Sequence, residues 1–270
     1  MIEFIADKNR KLSKLALYLV QDLSFSALQK LLRNKDVKVN GKRVSQDVML
    51  NVGDKVILYY QPQQNAKFST IYQDENIIVI DKKSGYQAEE IFNEILKIYK
   101  DAKFIHRLDR NTDGVMIFAL NSIAEKELVF GFKNRTFDKK YKATVYGKMS
   151  KTSDLLTAYL LKDSQTSTVK IFDQKVKGSV LIKTGYEVLN TTENTSELLV
   201  TLHTGKTHQI RAHLAHIGHF IIGDGKYGDN KINKQFGEKT QKLHAYSITL
   251  FFQKESPLFY LNSKTFTTKR

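Results

Sequence analysis

The sequence predicts an α+β protein built as two unequal units: a small one over residues 1–60, a linker over 61–70, and a larger one over 71–270. Three observations lead there. Segments between residues 155 and 203 read as antiparallel strands, and Val180, Ile182, Thr184, Tyr186 and Val188 alternate with the period of two that puts every second side chain on one face. Helices are few around these strands, which argues against a doubly wound fold. Between the units, Gln61-Pro62-Gln63-Gln64-Asn65-Ala66-Lys67 has no apolar period and reads as a flexible tether.

The 270 residues are enough for one large domain and one small one, and 41% hydrophobic residues mark a globular chain. The net charge is +15, from 43 Lys and Arg against 28 Asp and Glu. A surface so far from neutrality attracts phosphate, so nucleic acid is the first expected partner and an anionic membrane the second. No apolar run approaches the roughly 18 to 20 residues that span a bilayer, and the N-terminus lacks the apolar core of a signal peptide. No membrane partner and a cytoplasmic location are therefore expected. The chain has no cysteine, which excludes disulfides and thiolate metal sites. A monomer without an obligate protein partner is the default.

In the small unit, Leu12, Leu15 and Leu19 share one helical face, and a second helix reads from Ser26, with Gln29 completing a capping box. Leu28, Leu31 and Leu32 would pack inward and leave Lys30 and Arg33 outward. Val37-Lys38-Val39-Asn40-Gly41-Lys42-Arg43-Val44 alternates around an Asn-Gly turn, a strong hairpin signal, and Val52-Gly53-Asp54-Lys55-Val56-Ile57-Leu58-Tyr59 adds another turn and strand. Two helices followed by a V-x-V-N-G hairpin resemble an S4 RNA-binding domain of the αL type. That resemblance implies that Lys30, Arg33, Lys38, Asn40 and Lys42 present a basic edge to structured RNA. Phe25 departs from it, standing where the family usually has a basic residue. Residues 1–60 hold only 11 of the 43 cationic side chains, so the positive charge is spread over both units.

The larger unit opens with Ile71-Tyr72-Gln73-Asp74 and then a buried strand, Ile77-Ile78-Val79-Ile80, ending in the polar turn Lys83-Ser84-Gly85. A helix over roughly Glu89 to Lys100 carries Ile91, Ile95 and Ile98 on one side and delivers the chain to His106-Arg107-Leu108-Asp109-Arg110-Asn111-Thr112-Asp113-Gly114. This stretch sets one carboxylate, Asp109, between two arginines and closes on a glycine turn into the apolar run Val115 to Leu120. It gives an ionised acid a fixed position, able at neutral pH to act as nucleophile or base without a metal or histidine to activate it. Taken alone, an R-x-D-R is more often a structural ion-pair turn. Ser122 and Glu125 then form a capping-box pair ahead of a helix ending near Lys133. Lys139-Lys140-Tyr141-Lys142-Ala143-Thr144-Val145-Tyr146-Gly147 alternates as a strand, in which Tyr141 would ordinarily be a half-buried aromatic. After the strands at 155–161, 167–172, 179–189 and 197–203 comes His203-Thr204-Gly205-Lys206-Thr207-His208-Gln209-Ile210-Arg211-Ala212-His213-Leu214. Ile210, Leu214 and Ile217 fall at helical spacing toward the core, with His208 and Arg211 on another side. An arginine near a helix N-terminus gains nothing from the macrodipole, so its charge needs another reason, such as a carboxylate opposite.

These stretches resemble the motifs of the RluA-type pseudouridine synthases: H-R-L-D-R-x-T-S-G with Asp113 in place of Ser, K-x-Y-x-A-x-V-x-G around Tyr141, and T-G-R-x-H-Q-I-R-x-H-L with Lys206 in place of Arg. Asp224, Tyr227-Gly228 and Leu243-His244-Ala245 fall where that family has D-x-x-Y-G and L-H-A. Lys83-Ser84-Gly85 lacks the proline usual in its turn. The resemblance covers about residues 10–260 and implies a pseudouridine synthase fold with a central mixed, mainly antiparallel sheet. It implies an isomerase that breaks the N1–C1′ bond of uridine in structured RNA, turns the uracil and rejoins C5 to C1′, with no cofactor. Asp109 would be the catalytic aspartate, Arg211 its partner, and Tyr141 the aromatic surface for the base. Arg107 would fill the stack vacated by the flipped nucleotide, with His106, Lys206 and His208 also toward the RNA. Large-subunit ribosomal RNA is the expected substrate and transfer RNA the alternative.

Two other readings compete. A non-catalytic RNA-binding or ribosome-assembly protein would bind RNA and leave it unchanged; it would not require Asp109, Tyr141 and Arg211 together in three separate motifs. His208, His213, His216 and His219 are spaced so that three imidazoles could bind zinc, although the helix that carries two of them uses a face for packing, and no metal is expected. A glycosidase-like acid pair is disfavoured because no second acid with a motif behind it accompanies Asp109.

Overall fold

The computed structural model describes residues 1–20, 23, 25–60, 66–163 and 167–269, apart from the side chain of Ser26. The small unit contains β1 (Ile2–Ile5), β2 (Arg10–Lys11), α1 (Leu12–Leu19), α2 (Phe25–Arg33), β3 (Val37–Val39), β4 (Lys42–Val44), β5 (Met49–Leu50) and β6 (Lys55–Leu58). Its four-stranded sheet has the order β1-β6-β3-β4, and β2 pairs with β5. The β3–β4 hairpin turns at Asn40 (φ 48°) and Gly41 (φ 79°), the left-handed pair that an Asn-Gly turn supplies at low steric cost.

The helices pack as the leucine spacing predicts, with one shift. Leu12 and Leu15 are buried together with Ala16, whereas Leu19 is exposed, because the helix ends there and turns its last residue outward. α2 starts at Phe25, so Ser26 lies inside its first turn and not at the cap; Phe25 itself packs half-buried against the small unit's core. An apolar side chain at that position is thus used for packing. The predicted linker over 61–70 lies outside the described residues over 61–65, and it ends earlier than expected, because residues 68–70 already pair as a strand in the larger unit's sheet. The two units touch through Ile98, which packs against both cores, and through the Lys14 ammonium, 5.1 Å from the centre of the Tyr99 ring.

The larger unit contains β7 (Phe68–Gln73), β8 (Ile77–Lys82), α3 (Ala88–Leu96), β9 (Lys103–Phe104), β10 (Asp113–Ala119), α4 (Ser122–Asn134), β11 (Asp138–Tyr146), β12 (Ser153–Asp163), β13 (Thr168–Phe172), β14 (Val180–Thr191), β15 (Thr195–Leu202), α5 (Gln209–His216), α6 (Asn230–Gln235), β16 (Leu243–Thr249) and β17 (Thr265–Thr267). Among the described residues they form one eleven-stranded sheet in the order β13-β12-β14-β15-β11-β16-β10-β8-β7, with β17 on β16 and β9 on β10. Every pairing is antiparallel except β10 with β16. The sheet is therefore mixed and mainly antiparallel, and the chain is α+β.

The two apolar runs that break the period-two pattern are the adjacent strands β8 and β10, just inside the β7 edge of this sheet. Ile78, Ile80, Met116 and Phe118 face the core that receives Ile91 and Ile95 of α3, while Ile77, Val79, Val115 and Ile117 face the opposite core with Leu128 of α4. Strands covered on both faces need apolar residues at consecutive positions. α4 is capped by Asn121, whose side chain accepts from the Ala124 N–H, so the cap falls one residue before the expected Ser122. Asn is at least as good an N-cap as Ser, and its extended backbone places the acceptor where the first turn needs it.

Candidate active site

A cleft of about 620 Å³ opens where the turn before β10, strand β11 and the start of α5 meet, and Asp109, Tyr141 and Arg211 all line it. Arg107, Lys133, Arg135, Lys139 and Lys206 also line it, so the walls are cationic.

The turn that carries Asp109 is tied down from three directions. The Arg110 carbonyl accepts from the Gly85 N–H at 2.9 Å and from the Lys82 ammonium at 2.9 Å, and the Arg110 Nε donates back to the Gly85 carbonyl at 2.9 Å. Ser84 Oγ donates to the Asn111 carbonyl, and Gln241 Nε2 donates to Thr112 Oγ1. Lys82 is fully buried, and burial pulls its pKa down to about 8 against the opposing charges of Asp113, Asp109 and Glu90. The Lys-Ser-Gly turn keeps its shape without proline because Gly85 takes φ 93°. Gly114 takes φ 113°, and a β-carbon there would lie 2.2 Å from the Ala245 carbonyl oxygen; only glycine permits β16 to run alongside. Asp113, the departure from the family's serine, meets the Nδ1 of His244 at 3.0 Å, and the His244 Nε2 reaches Thr268 Oγ1 at 2.5 Å.

Arg211 lies in the first turn of α5 and is 8% exposed. Its Nη1 donates to Asp109 Oδ2 at 2.8 Å. Its Nε and Nη2 donate to the two oxygens of Asp224, at 2.7 and 2.9 Å. Burial alone would lower the arginine's pKa, but Asp224 and then Asp109 hold it above the ordinary value. Burial would likewise raise the Asp224 pKa, and Arg211 with the Lys226 and Tyr227 N–H groups brings it below the ordinary value. A second acid thus accompanies Asp109, contrary to expectation, although it is buried and fully engaged by the guanidinium and the turn N–H groups. The sequence signal for it was the Asp at the head of the tight turn Asp224-Gly225-Lys226, together with the unmet charge of Arg211.

Tyr141 faces the cleft from β11, with its ring packed in the core and its hydroxyl without a hydrogen bond among the described residues. Burial, then the Asp109 charge, pushes its pKa up, so the phenol is neutral at physiological pH. Asp109 Oδ1 also takes no hydrogen bond among the described residues, so the two residues that line this cleft have one carboxylate oxygen and one phenol uncommitted.

The residues expected to meet RNA are placed in several ways. Arg107 is exposed on the rim in an ion pair with Glu89 at 2.9 Å. His106 accepts the Ile117 N–H on Nε2 at 3.0 Å and stacks on Phe132. Burial, then Lys139, pulls its pKa down to about 3, so it is neutral and engaged in the fold. Lys206 is exposed at the cleft, and His208 lies in its wall. Lys30, Arg33 and Lys42 are exposed on the small unit and Lys38 is half-buried, while both side-chain atoms of Asn40 bond Asp54 and the Lys55 N–H and hold the hairpin.

The histidines that suggested zinc go to separate partners: His208 to the Tyr227 hydroxyl, His213 to Thr184, His216 to Asp173 and His219 to the Tyr146 carbonyl. Among the described residues, no group of three or more His, Asp or Glu is arranged to hold a metal. Among them, no helix is long and apolar enough to cross a membrane.

Residues 76–216 match the family model for RNA pseudouridylate synthase. The chain is 32% identical to an uncharacterized RNA pseudouridine synthase of Aquifex aeolicus, over 84% of this chain and 80% of that protein. It is 28% identical to ribosomal large subunit pseudouridine synthase D of Buchnera aphidicola, over 90% and 87%. Its fold is similar to that of human RNA pseudouridylate synthase domain containing 1, with a TM-score of 0.61 at 24% identity over 70% of this chain and 80% of the other. With over half of its length inside the family model, this chain belongs to the RNA pseudouridylate synthase family, isomerases that act on RNA.

Proposed function

We propose that this enzyme isomerises uridines of large-subunit ribosomal RNA, with Asp109 as the catalytic carboxylate, Arg211 as the cation that orients it and Tyr141 as the surface against which the freed uracil turns. The observation that carries this reading is the division of the Asp109 carboxylate, which lines the same cleft as Tyr141: Oδ2 takes the Arg211 Nη1 at 2.8 Å, and Oδ1 takes no hydrogen bond among the described residues. The isomerisation needs an acid that gives up its negative charge at one step and recovers it at the next. A guanidinium already aligned on one oxygen stabilises the recovered charge without reorganisation. The other oxygen is then free to react with the sugar or the base, or to take a ribose proton. Arg107, exposed on the rim, is the side chain for the gap left by the flipped nucleotide.

The small unit is proposed as an S4-like RNA-binding domain, with Lys30, Arg33, Lys38 and Lys42 on its basic edge and residues 71–270 as the catalytic domain. Ribosomal RNA as the substrate draws support from relatives named for the ribosomal large subunit, such as the Buchnera protein. The test is a map of pseudouridines in ribosomal and transfer RNA from cells with the gene, without it, and with only Asp109→Asn. Sites in large-subunit RNA lost in both the second and third cells are expected. Loss confined to transfer RNA would overturn the substrate, and sites restored by Asp109→Asn would overturn the catalytic assignment.

A further inference from the structure

His208 sits on the wall of the cleft, where the sequence suggested an RNA contact, yet both of its ring nitrogens face the protein. It is the residue before α5 and takes a left-handed backbone, φ 52° and ψ 18°. That conformation is uncommon for a residue with a β-carbon and costs on the order of 1–3 kcal/mol unless the surroundings hold it. What holds it is a pair of contacts. Nδ1 lies 2.8 Å from the Tyr227 hydroxyl, and Nε2 lies 3.8 Å from Asp109 Oδ2, the same oxygen that receives Arg211.

The hydrogen bonds of Tyr227 point to one tautomer of His208. The Tyr227 oxygen already accepts the Val169 N–H at 2.9 Å, so its own proton is the one available for Nδ1. Nδ1 then accepts, and the single proton of the neutral imidazole sits on Nε2, aimed at Asp109. Tyr227 is itself fixed: its N–H donates to Asp224 Oδ1 at 3.1 Å, and its ring lies 5.3 Å from the Arg211 guanidinium carbon and edge-on to His208. One short turn, 224–227, therefore sets both donors that face Asp109, Arg211 through the Asp224 carboxylate and His208 through the Tyr227 hydroxyl.

We propose that His208, held in the Nε2–H tautomer by Tyr227, is a positioning residue for Asp109, acting as a second and neutral donor to Oδ2 so that Oδ1 is the oxygen that reacts. The inference rests on the catalytic reading of Asp109. At 3.8 Å the contact is longer than a hydrogen bond, and the role given to His208 requires the two atoms to close to hydrogen-bond distance when the nucleotide binds. No proton leaves His208 in the cycle: Nε2–H faces a carboxylate at the start, a carbonyl-type oxygen while Oδ1 carries a bond or proton, and a carboxylate again at the end. A neutral donor suits this use, because a second full cation beside Arg211 would hold the charge on Asp109 too firmly. Burial keeps the imidazole below the ordinary histidine range, with Asp109 from the turn, Arg211 from α5, and Lys226 and Asp224 from the neighbouring loop as the charges around it.

The test uses the full-length protein and unmodified ribosomal and transfer RNA from cells that lack the gene, with His208→Ala, His208→Gln, Tyr227→Phe and Asp109→Asn compared. His208→Ala is expected to lower kcat by about 10- to 100-fold with KM little changed, the size and pattern of losing a residue that orients a reacting group. His208→Gln, whose amide can offer an N–H near the position of Nε2, recovers part of that loss. Imidazole ¹⁵N resonances of the RNA-free wild type should show Nδ1 unprotonated and Nε2 protonated, and Tyr227→Phe should shift them toward the other tautomer. A raised KM with unchanged kcat in His208→Ala would make His208 an RNA contact and overturn the proposal, as would a wild-type spectrum with the proton on Nδ1. If Asp109→Asn still turns over, the catalytic reading itself fails; if it is dead while His208→Ala and Tyr227→Phe keep full kcat, only the role given to His208 fails.

Discussion

Two turns meet on Arg211, and each brings it an aspartate. Turn 106–113 brings Asp109, whose side chain is 24% exposed and gives one oxygen to the guanidinium; turn 223–228 brings Asp224, whose side chain is fully buried and gives both. Asp224 also accepts the Lys226 and Tyr227 N–H groups. The residue type and the cation are the same, yet the acid that lines the cleft keeps one oxygen without a hydrogen bond among the described residues and the other has none to spare. What separates the carboxylate proposed to react from the structural one is how many of its lone pairs the fold has already taken.

The comparison breaks most readily on turnover. Asp109→Asn should abolish product, at least about 1,000-fold in single-turnover assays if the carboxylate is the reacting group, while the thermal midpoint moves little because the turn is held by its backbone. Asp224→Asn should do the reverse in stability: removing one partner of a buried pair costs about 3–5 kcal/mol, read as a lower denaturant midpoint. Asp224→Asn activity should fall too, through a misaligned Arg211. Equal destabilisation by both substitutions would erase the distinction between the two turns.

The same contrast has a pH signature. The folded Asp224 pKa lies below its unfolded value near about 3.9, so its contribution is present above that value and lost as pH falls through the folded pKa; the stability gap between wild type and Asp224→Asn should therefore close in acid. Lys82 tests the first turn. A buried lysine with a folded pKa of about 8 against about 10.4 unfolded binds fewer protons in the native state between those values, so wild type should gain stability over Lys82→Met as pH rises through that window. Because Lys82 bonds the carbonyl of Arg110, the residue after Asp109, this variant should also lose activity. The smallest effect expected is that of Tyr141→Phe on stability, within about 0.5 kcal/mol since its hydroxyl has no partner among the described residues, with any loss of turnover reporting hydroxyl chemistry alone.

Much of this site was legible in the sequence. Asp109, Tyr141 and Arg211 stand in three distinctive local patterns, and the need of Arg211 for a carboxylate followed from its place at a helix N-terminus. The alternating strands and the hairpin at Asn40-Gly41 were legible because period and turn chemistry are local properties. The cap at Asn121 was missed by one residue because Asn and Ser serve the same role and only the backbone angle at each position separates them.

What the sequence determined alone was the local part: which segments alternate, which turns need glycine, and which three motifs mark the family. The tertiary structure decided which oxygens those residues have left. That Asp224 takes two of the arginine's donors, that Lys82 is buried under the Arg110 carbonyl, and that Tyr227 turns His208 toward Asp109 all depend on contacts between residues distant in the chain. Period and propensity describe neighbours along the backbone, whereas hydrogen-bond saturation is settled only when the sheet brings its far strands and turns together.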